Sequence, residues 1–246
     1  MNKLPIALQL WSLRDEMHKN FAATAAAIAQ MGYAGVELAG YGNLDAPGAA
    51  AALKTAGLRA AGMHVGIDRL RAGLPQLIAE AQLLGTRNIV CPSWPAGQFT
   101  TAAACEHIGE ELNAIGATLR AAGLRLSFHN HAAEFAPPVE KRAVFDWMLD
   151  ASEPRNLGVE LDVYWAQVAG KNPAAFMREQ GRRVTLLHLK DEKELGLGPV
   201  DFENVFRAVD AASALEWLIV EQEHYTTTPL EGVKACIDQL RRWGRA

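Results

Sequence analysis

VTLLHLKD, residues 184–191, is the stretch whose reading decides the fold. Val184, Leu186, Leu187 and Leu189 form a short apolar run, the pattern of a strand buried on both faces of a parallel sheet. The run ends in His188, Lys190 and Asp191, residue types that rarely enter a plain core. Two stretches downstream and upstream repeat the design: NLGVELDVYW at 156–165 and WLIVEQE at 217–223. Each is an apolar run with an acid where the run stops. Asp162, His188 and Glu221 therefore read as one site gathered at one end of a sheet.

Outward from these runs, short strands alternate with helices along the whole chain. Strands are expected at 6–10, 35–38, 58–64, 88–91, 124–128, 158–162, 184–188 and 217–221. Helices are expected at 20–31, 47–55, 70–84, 101–122, 139–149, 173–178, 202–209 and 230–243. Asn20 reads as an N-cap, Pro47 sits in a first turn, and Gly32, Gly57, Gly85 and Gly123 read as stops. Such alternation implies a parallel sheet, because each crossover needs a helix. Eight units in 246 residues match the length of a (β/α)₈ barrel. An open doubly wound sheet would carry a glycine-rich turn after its first strand. Here that strand runs into WSLRDE. The expected fold is α/β, a (β/α)₈ TIM barrel, in one domain spanning 1–246.

Composition narrows the function classes. Half of the residues are apolar and 21% are charged, and the net charge of −4 is scattered. No basic stripe suggests nucleic acid, and no basic amphipathic stretch suggests a membrane surface. Cys91, Cys105 and Cys236 are far apart and form no C-x-x-C pair. That argues against a disulfide framework or a thiolate zinc site, and a reduced cytoplasmic setting is expected. The opening MNKLPIALQLWSLRDE makes a poor secretion signal. No apolar run approaches the length of a membrane span.

The chemistry-bearing residues fall at the C-terminal ends of the expected strands, where barrels of this kind carry their active sites. In strand order these ends offer Gln9, Glu37, His64, the Trp94 loop, His129 with His131 and Glu134, Asp162, His188 with Lys190, and Glu221 with Glu223. Carboxylates and imidazoles together suit one divalent metal ion, Mn²⁺, Mg²⁺, Co²⁺ or Zn²⁺. Taken singly, Asp162 reads as a helix cap, His188 as a core histidine and Lys190–Asp191 as a surface pair. Their phase at successive strand ends favours a site. Glu221 lies among apolar residues, where a carboxylate needs a cation or hydrogen-bond donors. Of His129 and His131, at most one is expected to face the barrel mouth.

The segments HNHAAEF (129–135), VELDVYWA (159–166), LLHLKD (186–191), GLGPVDF (196–202) and IVEQE (219–223) resemble the xylose-isomerase-like TIM barrels known as sugar phosphate isomerases/epimerases. IALQLWSLRD (6–15) and MGYAGVEL (31–38) are similar to the same family. The resemblance implies one divalent metal held by Glu, Asp, His and Glu from strands five to eight. Asp162, His188 and Glu221 match that pattern. The strand-five acid, counted back three residues from Asn130, falls on Ser127. Glu134 is expected to take its place, with His129 or His131 as substitutes. The implied activity is isomerisation or epimerisation of a sugar or keto-sugar through an enediolate. Glu134 and Glu221 are the candidate acid/base pair, with His131 beside them. His64, Lys190, Glu37, Trp11 and Trp165 are the candidate substrate contacts. A lyase or dehydratase acting on an oxidised sugar or cyclitol begins with the same proton removal. A non-catalytic carbohydrate-binding barrel is the third reading. The expected partner is a small sugar, with a homodimer as the default assembly.

Overall fold

The structure, a computed structural model, describes residues 3–246. The first two residues of the opening segment read above as a poor secretion signal lie outside the described ones. Eight parallel strands close in chain order: β1 (Ile6–Gln9), β2 (Gly35–Leu38), β3 (Arg59–His64), β4 (Asn88–Cys91), β5 (Arg125–His129), β6 (Leu157–Asp162), β7 (Val184–Leu189) and β8 (Trp217–Val220). β8 pairs back onto β1, so the expected TIM barrel is formed. Every expected strand is present, with no end moved by more than one residue. Around them run α1 (Arg14–Met31), α2 (Ala46–Ala56), α3 (Ile67–Ala72), α4 (Leu74–Leu84), α5 (Ala102–Ala121), α6 (Val144–Asp150), α7 (Val163–Val168), α8 (Pro173–Gln180), α9 (Phe202–Ala211) and α10 (Pro229–Arg242). No helix among the described residues is long and apolar enough to cross a membrane.

The departures from expectation have local causes. Asn20 does cap a helix, its Oδ1 accepting from Ala23 N at 3.0 Å, but a helical stretch from Arg14 precedes it. Asn20 itself is extended there, at φ −162° and ψ 92°. The helix expected over 70–84 breaks at Gly73. The one expected over 139–149 begins at Val144, because Val139 is held in a bridge to Arg142. α7 was not expected. It exists because Asp162 caps it.

Strand alternation sorts side chains between two layers. Outward residues pack against the helices in one continuous core. Inside the barrel a small apolar plug of Ala7, Ala61, Val90, Leu186, Trp217 and Ile219 fills the middle. Two residues further along the same strands lie Gln9, His188 and Glu221, so the plug is a floor beneath the polar site. α5 presses so closely on the α6 side that Gly116 admits no side chain. A Cβ there would sit 1.9 Å from Asn156 O. Gly116→Ala should therefore cost about 3 kcal/mol, the upper range for overpacking. At roughly 2–4 °C per kcal/mol, that is a fall in melting temperature of about 6–12 °C, readable by calorimetry.

At the opposite end Glu216 accepts from Arg87 and Arg125. Burial alone would raise its pKa, but the two guanidiniums outweigh burial and hold it below the usual range. A depressed carboxylate stabilises the fold above its unfolded pKa, and this is lost as pH falls through its folded value. Both arginines keep contact with solvent, which screens the pairs, so the contribution is about 1 kcal/mol. Glu216→Gln should show that deficit at pH 7 in urea melts. The gap to the parent should close at acid pH.

Candidate metal centre and active site

β6, β7 and β8 deliver Asp162, His188 and Glu221 to the same end of the barrel. Pairing of Asp162 with His188 across β6 and β7 sets their height. Asn130 fixes the Asp162 backbone, its Oδ1 accepting from Asp162 N at 2.9 Å and its amide donating to Asp162 O at 3.3 Å. One carboxylate oxygen of Asp162 accepts from Trp165 N at 2.8 Å, which starts α7. The other, Oδ2, is buried with no partner. His188 Nδ1 lies 2.9 Å from Glu221 Oε2, and its Nε2 lies 2.7 Å from Glu37 Oε2. One donor atom each of His129, Asp162, His188 and Glu221 lie within 4.8 Å of one another. Bonds of about 2.1 Å from a single ion reach donors at such spacings with small adjustments. A buried oxygen without a partner, facing an imidazole and a second carboxylate, is the residue set that a divalent cation fits.

The electrostatics agree. Burial pushes the Asp162 carboxyl up to about 7; Lys190 opposes this and Glu221 adds to it. Glu221 is also buried, yet its bond to His188 and the Lys190 charge hold it at about 2. Burial depresses His188, but Glu160, Glu221 and Glu37 outweigh it and raise its pKa well above the usual histidine value. Lys190 is almost fully buried, ion-paired with Glu223 and 3.8 Å from Glu221. Its ammonium sits 5.3 Å over the Trp165 ring. Burial pushes the His131 ring down, so it is neutral at pH 7.

A cavity of about 440 Å³ opens above these groups, lined among others by Trp11, His64, His129, His131, Glu221 and Glu223. A larger cavity of about 1040 Å³ opens near Arg59, Arg87 and Trp217 at the other end, away from every cluster of donors.

The expected site residues divide accordingly. Asp162, His188 and Glu221 converge. Glu134 does not join them: its Oε2 accepts from His131 N at 2.7 Å, and it belongs to neither donor group. His64, His131 and Trp11 line the cavity. Lys190 and Trp165 stand behind its wall. Glu37 lies below it, fully buried against Gln9, His64 and His188. The expectation of one inward histidine at 129 and 131 is corrected, because both line the cavity. Residues two apart on an extended chain share a face.

Glu160 went unrecognised in the sequence. It is fully buried and meets His64, His129 and His188 through one oxygen. The signal was present: Glu160 precedes Asp162 by two, so both must face inward. Ser127, at the position of the absent strand-five acid, lies 3.5 Å from the Thr185 hydroxyl. Glu37 and Glu160 supply the interior carboxylates.

The closed eight-stranded barrel defines the class as a (β/α)₈ TIM barrel, with a buried cluster of metal-type donors at its C-terminal mouth. The family model described as xylose isomerase-like TIM barrel matches residues 25–243, and the chain belongs to that family. A sugar phosphate isomerase/epimerase from Parabacteroides distasonis superposes with a TM-score of 0.87 at 25% identity, covering 97% of this chain and 98% of that one. The 3-keto-D-glucoside 4-epimerase of E. coli gives 0.73 at 16% identity, covering 98% of this chain and 100% of its own. L-Ribulose 3-epimerase also gives 0.73 at 16% identity, covering 99% and 97%. The last two share the fold. No curated protein matches the chain by sequence.

Proposed function

We propose that the protein is a divalent-metal-dependent isomerase or epimerase of a sugar or keto-sugar, with Asp162, His188 and Glu221 as metal ligands. The observation that carries this reading is the convergence of those three donors, with Asp162 Oδ2 buried and unpartnered, beneath a cavity of monosaccharide scale. Three protein ligands leave positions open for substrate oxygens. When bound, the ion would supply Lewis-acid stabilisation of the charge that develops beside a carbonyl.

The chain's own groups do the rest. His131, neutral and facing the cavity, accepts the proton from carbon next to the carbonyl. Lys190, kept charged by Glu221 and Glu223, neutralises negative charge on substrate oxygen from behind the Trp165 wall. Trp11 at the rim offers an apolar face to a sugar ring. Glu134 braces the turn that carries His131.

The test is incubation with candidate keto-sugars in deuterated water. Deuterium entering beside the carbonyl, with an isomeric product, supports the proposal. Loss of water or of an aglycone would move the reading to a dehydratase or lyase. Binding without exchange for every sugar tried would leave only the carbohydrate-binding barrel. Lys190→Met should lower the exchange rate by about 10²-fold, the scale of one lost charge-stabilising donor, while metal content stays at the parent level.

A further inference from the structure

A second set of donors lies deeper in the barrel than Asp162 and Glu221, and the proposed reaction leaves it unused. Glu37 from β2, His64 from β3, His129 from β5 and Glu160 from β6 meet there. One donor atom each of His64, His129, Glu160 and His188 lie within 4.8 Å of one another. Glu160 Oε2 is the hub, 2.8 Å from His64 Nε2, 3.2 Å from His129 Nδ1 and 3.2 Å from His188 Nε2. Glu37 Oε2 is 3.1 Å from the same His64 nitrogen. Both carboxylates have 0% exposure. Glu37 Oε1, Glu160 Oε1 and His129 Nδ1 are buried without a hydrogen-bond partner. The room is built in: a Cβ at position 62 would stand 2.7 Å from Glu37 Oε1, and residue 62 is glycine.

Two carboxylates sealed in a barrel need positive charge close by. His64 and His188 are the imidazoles in contact with both. Around them stand His64, His129 and His188, with Gln9 Nε2 donating to Glu37 Oε2 at 2.7 Å, and each carboxylate keeps one buried oxygen, Oε1, without a partner. One divalent ion would supply the positive charge that two buried carboxylates require.

We propose that Glu160, His64 and His129, with Glu37 as the second carboxylate, form a second divalent-cation site. Two imidazoles and two carboxylates select a borderline ion, Zn²⁺ or Co²⁺, over Mg²⁺. Ligands on a tetrahedral ion with bonds of about 2.1 Å stand about 3.4 Å apart, so the donors open by a few tenths of an ångström on loading. His64 also lines the cavity, which gives the ion a path in. His188 lies between the two sites, Nδ1 toward Glu221 and Nε2 toward Glu37. The inference stands apart from the proposed function, which needs only the upper ion.

The experiment is metal counting. The chain is stripped with chelator, reloaded with Co²⁺ or Zn²⁺, freed of excess and measured by elemental mass spectrometry. Two ions per chain are expected in the parent and one in Asp162→Ala. One is also expected in Glu160→Gln and in His64→Asn, each checked for folding by circular dichroism. His64→Asn, at the cavity edge, keeps the test open where Glu160→Gln fails to fold. The Co²⁺ absorption bands kept by Asp162→Ala should be those lost in His64→Asn. One ion in the parent, lost in Asp162→Ala and kept in His64→Asn, overturns the second site and leaves the proposed function standing. One ion lost in His64→Asn and kept in Asp162→Ala supports the deep site and overturns Asp162 as a ligand. No ion in any form overturns both.

Discussion

Asp162→Asn should lose the upper metal ion and about 10³-fold or more of the exchange rate, while the chain melts close to its parent. The magnitude follows from Lewis-acid stabilisation worth several kcal/mol. The substitution separates the two jobs of this side chain. An asparagine oxygen can still accept from Trp165 N and start α7, which Asp162 Oδ1 does at 2.8 Å. It cannot replace an anionic ligand at Oδ2, the buried oxygen that has no protein partner. Asp162→Ala removes both roles and should cost about 1 kcal/mol of stability in addition, the usual loss of a cap. Metal content, deuterium exchange and melting temperature, measured on all three forms, check the separation. Parent-level exchange in Asp162→Asn would sink the assignment. A large loss of melting temperature in Asp162→Asn would show that Asp162 is chiefly a structural cap.

The barrel was legible because its strands are short apolar runs, because glycine closes several of the helices between them, and because every crossover needs a helix. The convergence of Asp162, His188 and Glu221 was legible for a related reason. An acid or histidine at the last residue of a buried run has few explanations, and Asp162, His188 and Glu221 fall there in phase. What failed was distance in sequence standing in for distance in space. Glu134 lies four residues beyond Asn130, but the chain turns through a 3₁₀ segment, and the carboxylate is spent on His131 N. Glu160 sits inside the run VELD, where it was read as part of a strand and not as a donor. Glu37 was placed at its strand end but assigned to substrate. Its role depends on β2 facing β7 across the barrel, which pairwise strand patterns do not encode. Glu37 and His188 are 151 residues apart in sequence and 2.7 Å apart in the fold. Interior contacts between non-adjacent strands arise only when the sheet closes, so the deep cluster was visible only in the structure.

His131→Asn should keep the upper metal ion and lose about 10²–10⁴-fold in exchange rate, the usual contribution of a positioned general base. His131 has the required placement. It lies two residues beyond the end of β5, lines the cavity, and stands 5.7 Å from the Trp165 ring and 5.0 Å from the His129 ring, centroid to centroid. Glu221 also lines the cavity, but its Oε2 lies 2.9 Å from His188 Nδ1, among the proposed ligands. Glu223 accepts from Lys190, and Trp11 Nε1 donates to its other oxygen at 3.3 Å, so both of its oxygens are engaged. His131 is thus the cavity-facing base that is not paired with a charged side chain. Asparagine keeps the polarity and the backbone N–H that Glu134 accepts, so the turn at 132–134 should persist. The measurement is exchange of the substrate C–H, followed by mass spectrometry, beside a metal count on the same sample. Unchanged exchange with unchanged metal would transfer the proton step to Glu221 or Glu223. Loss of metal together with exchange would instead make His131 a ligand, the alternative that the pattern H-N-H left open in the sequence.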